Sequence, residues 1–268
     1  VPVARFEDRD GLSFLVLDEL APFGVDAVVT TRAGGCSTGP YAALNLGLHV
    51  GDDEESVIEN RSRVAAALGE ELDDFVFMDQ SHGTRVAVVD RSARGRGARA
   101  VEHAMVATDA LVTTSSELPL VVLVADCCPI VVVDVNQRIL GVAHAGWRGS
   151  AGGVAGALLE TMRQLGAEPA SCHALIGPSI DQARYEVGHE VAAALRGSLS
   201  TTSPGFIDGA GPRSHVDLAA LNVSQLVESG IPSTQVAITP WRTDDERFFS
   251  DRAMRPCGRF ALIATLAS

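Results

Sequence analysis

Lysine is absent from this sequence. All 21 basic residues are arginine, set against 34 acidic residues and a formal charge of −13. The absence excludes a Schiff-base lysine, a phosphate-loop lysine and a lysine general base. The acid excess repels polyphosphate backbones and excludes nucleic acid as an expected partner. Any anion must be held by arginine, backbone N–H groups or a metal. Histidine is scarce: there are seven, at positions 49, 82, 103, 144, 173, 189 and 215, with no His-x-His pair. That lacks the ligand supply of a multicopper cluster. The five cysteines (Cys36, Cys127, Cys128, Cys172 and Cys257) are odd in number and fit no disulfide framework, so a reducing, cytoplasmic compartment is expected. No apolar run is long enough for a membrane. Leu118 to Val135 is broken by Asp126, Pro129 and Asp134 and reads as two buried strands. The N-terminus shows no charged region followed by an apolar one, so no signal peptide is expected.

What is present is ordinary globular material: 268 residues, 46% hydrophobic and 21% charged. No composition shift divides the chain, so a single domain over residues 1–268 is expected. Val28–Thr31 is a β-branched strand running into the turn-rich stretch Arg32–Pro40. Asp53 is placed to cap a helix over Glu54–Leu68, stopped by Gly69. Strands follow at Phe75–Met78, Val86–Val89, Ala110–Thr113, Leu120–Ala125, Ile130–Asp134, Ile139–Ala143, Ala174–Ile176, Val236–Thr239 and Phe260–Ala264. Helices are expected at Gly152–Leu165, Gly188–Leu195 and Asp217–Ser229. Arg91–Arg99 reads as a mobile, solvated loop and Ser198–Arg213 as a surface loop. Strands come in groups with helices between the groups. That favours an α+β sandwich with mixed sheets flanked by helices over a doubly wound sheet.

Three segments place a metal-type ligand beside glycine or at a strand end: Gln80-Ser81-His82-Gly83, Ala125-Asp126-Cys127-Cys128-Pro129 and Ala143-His144-Ala145-Gly146-Trp147-Arg148-Gly149. Their spacing is not that of a local zinc finger. Two histidines and one cysteine around Zn²⁺ leave a fourth position open, as catalytic sites do. Copper also accepts such a set but normally adds an axial ligand that nothing here supplies. A second reading of the same residues makes Cys127 a thiolate nucleophile, with His82 or His144 as base and Asp126 orienting it, as in a cysteine hydrolase or amidase. Anion-holding candidates are Arg32 and Ser37 in the glycine-rich turn, Arg148 beside the His144 segment, and Arg247 near the C-terminus.

The string of motifs resembles the YfiH family, long labelled laccase-domain or polyphenol-oxidase proteins. It is carried by Thr30-Thr31-Arg32-x-Gly34-Gly35-x-Ser37, Leu44-Asn45-Leu46-Gly47, Gln80-x-His82-Gly83, Thr108-Asp109-Ala110-Leu111-Val112-Thr113, Ala125-Asp126-Cys127 and Ala143 to Gly149. Ile176-Gly177-Pro178-Ser179-Ile180, Tyr185-Glu186-Val187-Gly188 and Arg247-Phe248-Phe249-Ser250 extend it to most of the chain. The resemblance implies a layered α/β sandwich and one zinc site on His82, Cys127 and His144. It implies purine nucleoside chemistry: phosphorolysis of adenosine, inosine, guanosine or methylthioadenosine to base plus sugar 1-phosphate, and deamination of adenosine. Laccase-like oxidation and the editing of peptidoglycan precursors are the other activities proposed for relatives. The chain departs from many relatives in having Gln182-Ala183-Arg184 before the Tyr-Glu-Val-Gly motif and Arg252-Ala253 where two arginines are common.

On that reading Arg32, Ser37 and Arg148 would clamp phosphate, with Arg247 a further substrate contact and Asn45 a hydrogen-bond partner for sugar or base. Asp126 would act as an acid/base group, or hold a ligand histidine by a hydrogen bond. Purine nucleosides and phosphate are the expected partners, with no membrane partner. The chain is expected to be a monomer or weak homodimer.

Overall fold

The structure is a computed structural model that describes residues 3–199, 207–208 and 212–268. Two large sheets lie face to face. One has five strands, in the order β1 (Arg5–Arg9), β2 (Leu12–Val16), β3 (Val25–Thr30), β14 (Phe260–Leu266) and β6 (Leu120–Val124), with every pairing antiparallel. The other has six, in the order β13 (Val236–Ile238), β9 (Cys172–Ile176), β7 (Cys128–Asp134), β8 (Ile139–Ala145), β5 (Ala110–Thr113) and β4 (Val86–Val88). Its centre is antiparallel and its two outer pairs, β13 with β9 and β4 with β5, are parallel. A small third sheet joins β10 (Glu186–Gly188), β12 (Arg213–Val216) and β11 (Ile207–Asp208).

Strand alternation sorts the apolar side chains into three cores. Val29, Val122 and Leu262 meet Val131, Leu140 and Val142 between the two large sheets. The opposite face of the six-stranded sheet, with Val112, Ile130 and Val132, packs on Leu158, Leu159 and Met162 of α3 (Val154–Gln164) and Leu218 and Leu221 of α5 (Leu218–Glu228). The opposite face of the five-stranded sheet, with Phe14, Val121 and Ile263, packs on Val64 and Ala65 of α1 (Glu54–Ala67). Strands buried on both faces explain the unbroken apolar runs of β6 and β7, which carry no alternation to read. The layers are thus helix, sheet, sheet and helix, the α+β sandwich expected from the grouping of strands.

Asp53 caps α1 by accepting from the Ser56 N–H, and Gly69 follows the helix at φ +78. The helix expected at Gly152–Leu165 forms as α3, and a further short helix, α2 (Trp147–Gly152), precedes it and ends at Gly153, whose φ of +83 turns the chain into α3. α4 (His189–Arg196) forms as expected. Phe75–Met78 makes only single bridges, Val76 to Leu120 and Met78 to Met105, rather than a full strand. Strands β1 and β2 lie where no strand was expected: Arg-Phe-Glu-Asp-Arg of β1 offers little apolar signal, whereas Leu-Ser-Phe-Leu-Val of β2 does carry one and pairs with it.

The Arg91–Arg99 stretch is not a freely solvated loop. The buried Arg61 guanidinium donates to the carbonyls of Gly97 and Ala98 at 2.7 and 2.8 Å, Arg94 pairs with Asp74, and Arg99 pairs with Asp73. These contacts tie it to α1 and to the turn after it. The expected loop at Ser198–Arg213 lies mostly outside the described residues.

Candidate metal centre

The site forms at one end of the sandwich, where β6 stops, β7 begins and β8 finishes. Ala125 to Cys127 is the chain's passage from the five-stranded to the six-stranded sheet, so the Cys127 thiol sits between them. Asp126 makes this sharp crossing at φ +87. His144 is on β8, in alternation with Leu140 and Val142, so it points toward the space between the sheets, where it is buried. His82 comes from the loop ahead of β4 and has φ +61. Gln80 fastens that loop to β6: its amide donates to the Leu123 carbonyl at 2.7 Å and accepts from the Leu123 N–H at 2.8 Å.

The ligand atoms of His82, Cys127 and His144 lie within 4.8 Å of one another, with Cys127 Sγ 3.9 Å from His82 Nε2. Bond lengths of ~2.3 Å to sulfur and ~2.0 Å to nitrogen in a tetrahedral zinc site put neighbouring donors about 3.5 Å apart, so the three fit one metal ion after a small contraction. Gly146 is required beside them. A Cβ there would stand 2.7 Å from His82 Cδ2 and 3.0 Å from Cys127 Sγ.

Asp109 organises the two histidines. One carboxylate oxygen lies 2.9 Å from His144 Nδ1 and accepts from the His82 N–H at 2.9 Å; the other accepts from the Gly83 N–H at 2.7 Å and from the Ser81 hydroxyl at 3.0 Å. With Nδ1 turned to Asp109, His144 keeps Nε2 for the centre. Burial acts to raise the Asp109 pKa, but the His144 and Gly83 hydrogen bonds outweigh it and hold the carboxyl below its ordinary value. Desolvation, followed by the neighbouring His144, lowers His82 toward the neutral form a metal needs. Burial, with Cys128 and Asp126 adding, pushes the Cys127 thiol up to about 12. A thiol in that setting ionises readily only beside a cation, which the metal reading supplies.

A cavity of about 440 Å³ opens from the centre. Arg148, Arg252, Arg255 and Arg259 reach it, with Asp251 and Tyr185 on its wall. Arg148 is the expected anion-holding residue that lies here, its guanidinium 4.4 Å from the Trp147 ring. Asp126 also lines the cavity, but its carboxylate accepts from the Thr243 hydroxyl and the Arg252 N–H. It holds the C-terminal loop rather than a ligand histidine; the latter role belongs to Asp109.

The structure places Arg32, Ser37, Asn45 and Arg247 outside this cavity. Arg32 donates to the Ala42 carbonyl at 2.7 Å and lies over Phe249. The buried Ser37 hydroxyl accepts from Asn60. Asn45 accepts from the N–H groups of Gly47 and Arg259, at 2.9 and 2.8 Å, so it acts on the cavity only through the Arg259 backbone. Arg247 pairs with Asp245 and covers the Phe6 ring. Sequence reasoning missed Asp109, Arg255 and Arg259. Asp109 stood inside a recognised motif, but nothing local in the sequence marks a carboxylate that reaches two distant histidines.

Fold and site together define a double-sheet sandwich protein with a two-histidine, one-cysteine group that could hold a metal. The family described as multi-copper polyphenol oxidoreductase laccase matches residues 26–267, and the chain belongs to it. The YlmD protein of Geobacillus stearothermophilus, a solved structure, superposes with a TM-score of 0.93 at 35% identity over 100% of both chains. The YfiH protein of Bacillus licheniformis does so with a TM-score of 0.90 at 34% identity, over 97% of this chain and 98% of that one. A purine nucleoside phosphorylase of Corynebacterium glutamicum is 38% identical over 93% of this chain and 98% of its own. An adenosine deaminase from an unknown prokaryotic organism is 38% identical over 86% of this chain and 89% of its own. Despite the family's description, His82, Cys127 and His144 form the one group of three or more potential ligands among the described residues. No helix among them is long and apolar enough to cross a membrane.

Proposed function

We propose that this chain is a zinc-dependent purine nucleoside enzyme. It cleaves adenosine, inosine, guanosine or methylthioadenosine with phosphate to give the base and the (methylthio)ribose 1-phosphate, and deaminates adenosine to inosine. The observation that carries the reading is the convergence of His82, Cys127 and His144, with Asp109 behind His144, on a cavity reached by four arginines. The names of the relatives point the same way.

His82, Cys127 and His144 would hold the ion, and a bound Zn²⁺ supplies a Lewis acid that polarises a substrate oxygen. The remaining tasks fall to the chain. Arg148 has a ring contact but no internal hydrogen bond described, which leaves its guanidinium fork for phosphate. Arg259 is held by the carbonyls of Cys257 and Gly258 and by Asp251, so it offers a fixed positive wall. Asp126 keeps the Cys127 crossing and the Arg252 turn together, which sets the width of the cavity. Cys127 serves as a metal ligand in this reading. A free nucleophile needs a lowered thiol pKa, and burial here pushes it the other way.

The test is incubation of the zinc-loaded protein with adenosine, with and without phosphate, and identification of products by mass. Ribose 1-phosphate that forms only with phosphate supports phosphorolysis, and inosine supports deamination. No turnover by the zinc-loaded protein, with His82→Ala indistinguishable from wild type, sinks the reading.

A further inference from the structure

Asp126 grips the C-terminal loop at two points. One carboxylate oxygen accepts from the Thr243 hydroxyl and the other from the Arg252 N–H. The stretch 243–252 is therefore closed on the residue that precedes Cys127. Its last two residues, Asp251 and Arg252, stand on the wall of the metal cavity, and Asp251 pairs with Arg255 and Arg259. Its middle, with Glu246 and Phe249, walls a neighbouring cavity of about 470 Å³.

The tip of this loop rests on the N-terminal hairpin. β1 is an edge strand, paired with β2. Its Phe6 lies in register with buried Leu15 and packs against the core between the sheets. The Phe6 ring meets Trp241 edge-on, with centroids 5.2 Å apart, and Phe248 at 6.4 Å. The Arg247 guanidinium covers the same ring at 3.8 Å. One side chain of β1 thus holds three residues of the C-terminal segment. The turn of the hairpin makes a second, indirect contact. A Cβ at Gly34 would stand 2.6 Å from the Gly11 carbonyl oxygen, and the nearby Arg32 N–H donates to the Arg247 carbonyl at 2.8 Å.

We propose that the β1–β2 hairpin is a brace for the 243–252 loop, and that Phe6 is a positioning residue for the arginine wall of the metal cavity. Phe6 lines neither cavity. It acts by fixing the tip of the loop, so that Asp251 and Arg252 stay in place and Asp251 presents Arg255 and Arg259 as a set. Donors fixed in advance bind an anion more tightly than donors that must be ordered on binding. The effect on phosphate rests on phosphorolysis as the reaction; the brace itself does not.

Phe6→Ala removes the ring, Phe6→Tyr keeps it, and Arg247→Gln takes away only the exposed cation that covers it. Amide exchange in 243–252 should quicken about tenfold or more in Phe6→Ala, and less in Arg247→Gln, while β7 and β8 keep their wild-type rates. Phe6→Tyr should match wild type. In the zinc-loaded enzyme, Phe6→Ala should raise KM for phosphate about threefold or more with kcat within about twofold. Zinc affinity should not change, because His82, Cys127 and His144 all lie outside the loop. Wild-type exchange in the loop of Phe6→Ala, or an equal quickening across β7 and β8, overturns the brace. An unmoved phosphate KM in a loosened loop overturns the positioning role. If Phe6→Ala does not fold, Arg247→Gln carries the same comparisons. If zinc-loaded wild type gives no phosphorolysis, the reading of the function fails, and amide exchange still decides on the brace. Calorimetric titration with orthophosphate then decides on the wall: weaker binding to Phe6→Ala than to wild type supports the proposal, and equal binding to both, or to neither, overturns it.

Discussion

His144 and Asp109 meet twice: Nδ1 of the imidazole lies 2.9 Å from the carboxylate, and the His144 main-chain N–H donates to the Asp109 carbonyl at 2.7 Å. The second contact is part of the sheet, so the first is aimed by the fold before any ion arrives. Asp109→Asn replaces an oxygen that accepts from the His82 loop with an amide group that cannot. Metal affinity should fall about 10–100-fold. Competition with a chromophoric chelator reads this directly, and equal affinity in the variant would remove Asp109 from the site.

Gly146→Ala tests how closely the donors are packed. The backbone there has φ −76, which alanine adopts freely, so the methyl group costs little in conformation. It does collide with His82 and Cys127. Zinc content should drop well below one ion per chain while the metal-free protein keeps its melting temperature. Full occupancy by elemental analysis would show that the ligands can spread.

Acid should loosen the hairpin between β7 and β8. Burial acts to raise Asp134, but N–H groups of Gln137, Glu168 and Asn136 and the Ser171 hydroxyl outweigh it and hold the pKa below its ordinary value. A carboxylate depressed by folding contributes its full stability above its unfolded value of ~3.9, and loses it as the pH falls through the lower folded value. Asp134→Asn should cost about 1–3 kcal/mol at neutral pH and flatten the loss of stability below about pH 4. Urea midpoints measured across that range check it; parallel curves for variant and wild type would contradict it.

Arg61 is the buried cation on which the 91–99 stretch depends. It donates to the carbonyls of Leu46, Gly97 and Ala98 and stands 4.0 Å from the Phe77 ring. Arg61→Leu strands those carbonyls and should cost about 3–5 kcal/mol, the range for breaking a buried charged network. Thermal unfolding measures the loss. Proteolysis should then cut first near Arg94 to Arg99; resistance there would show that other contacts hold the loop.

The residues legible in the sequence were those whose chemistry is rare. His82, Cys127 and His144 stood out because a chain with few histidines spends them beside glycine and at strand ends, and the structure brings them together. The arginines were harder. Arg32 and Arg247 lie outside the metal cavity: Arg247 pairs with Asp245, and Arg32 bonds the Ala42 carbonyl and lines a neighbouring cavity, so a turn-rich loop does not by itself say what its arginine holds. Arg259 gave no local signal; it reaches the cavity because Asn45, more than two hundred residues earlier, fixes its backbone. Arg91–Arg99 looked solvated because the partner that anchors it sits on a distant helix. Contacts of such sequence separation carry no periodicity, and periodicity is what sequence reading detects.

The Ala125–Cys127 crossing has a mechanical meaning. Cys127 stands at the passage between the sheets, His144 belongs to the six-stranded sheet, and the His82 loop is tied to both, through Gln80 to the five-stranded sheet and through Asp109 to the six-stranded one. An ion gripped by all three is a clasp on the open end of the sandwich. It can close only when both sheets stand at their native spacing, so the ion concentration acts on the whole fold. Without an ion, the chain would gape first along β6 and β8, and amide exchange there would report whether the clasp is closed.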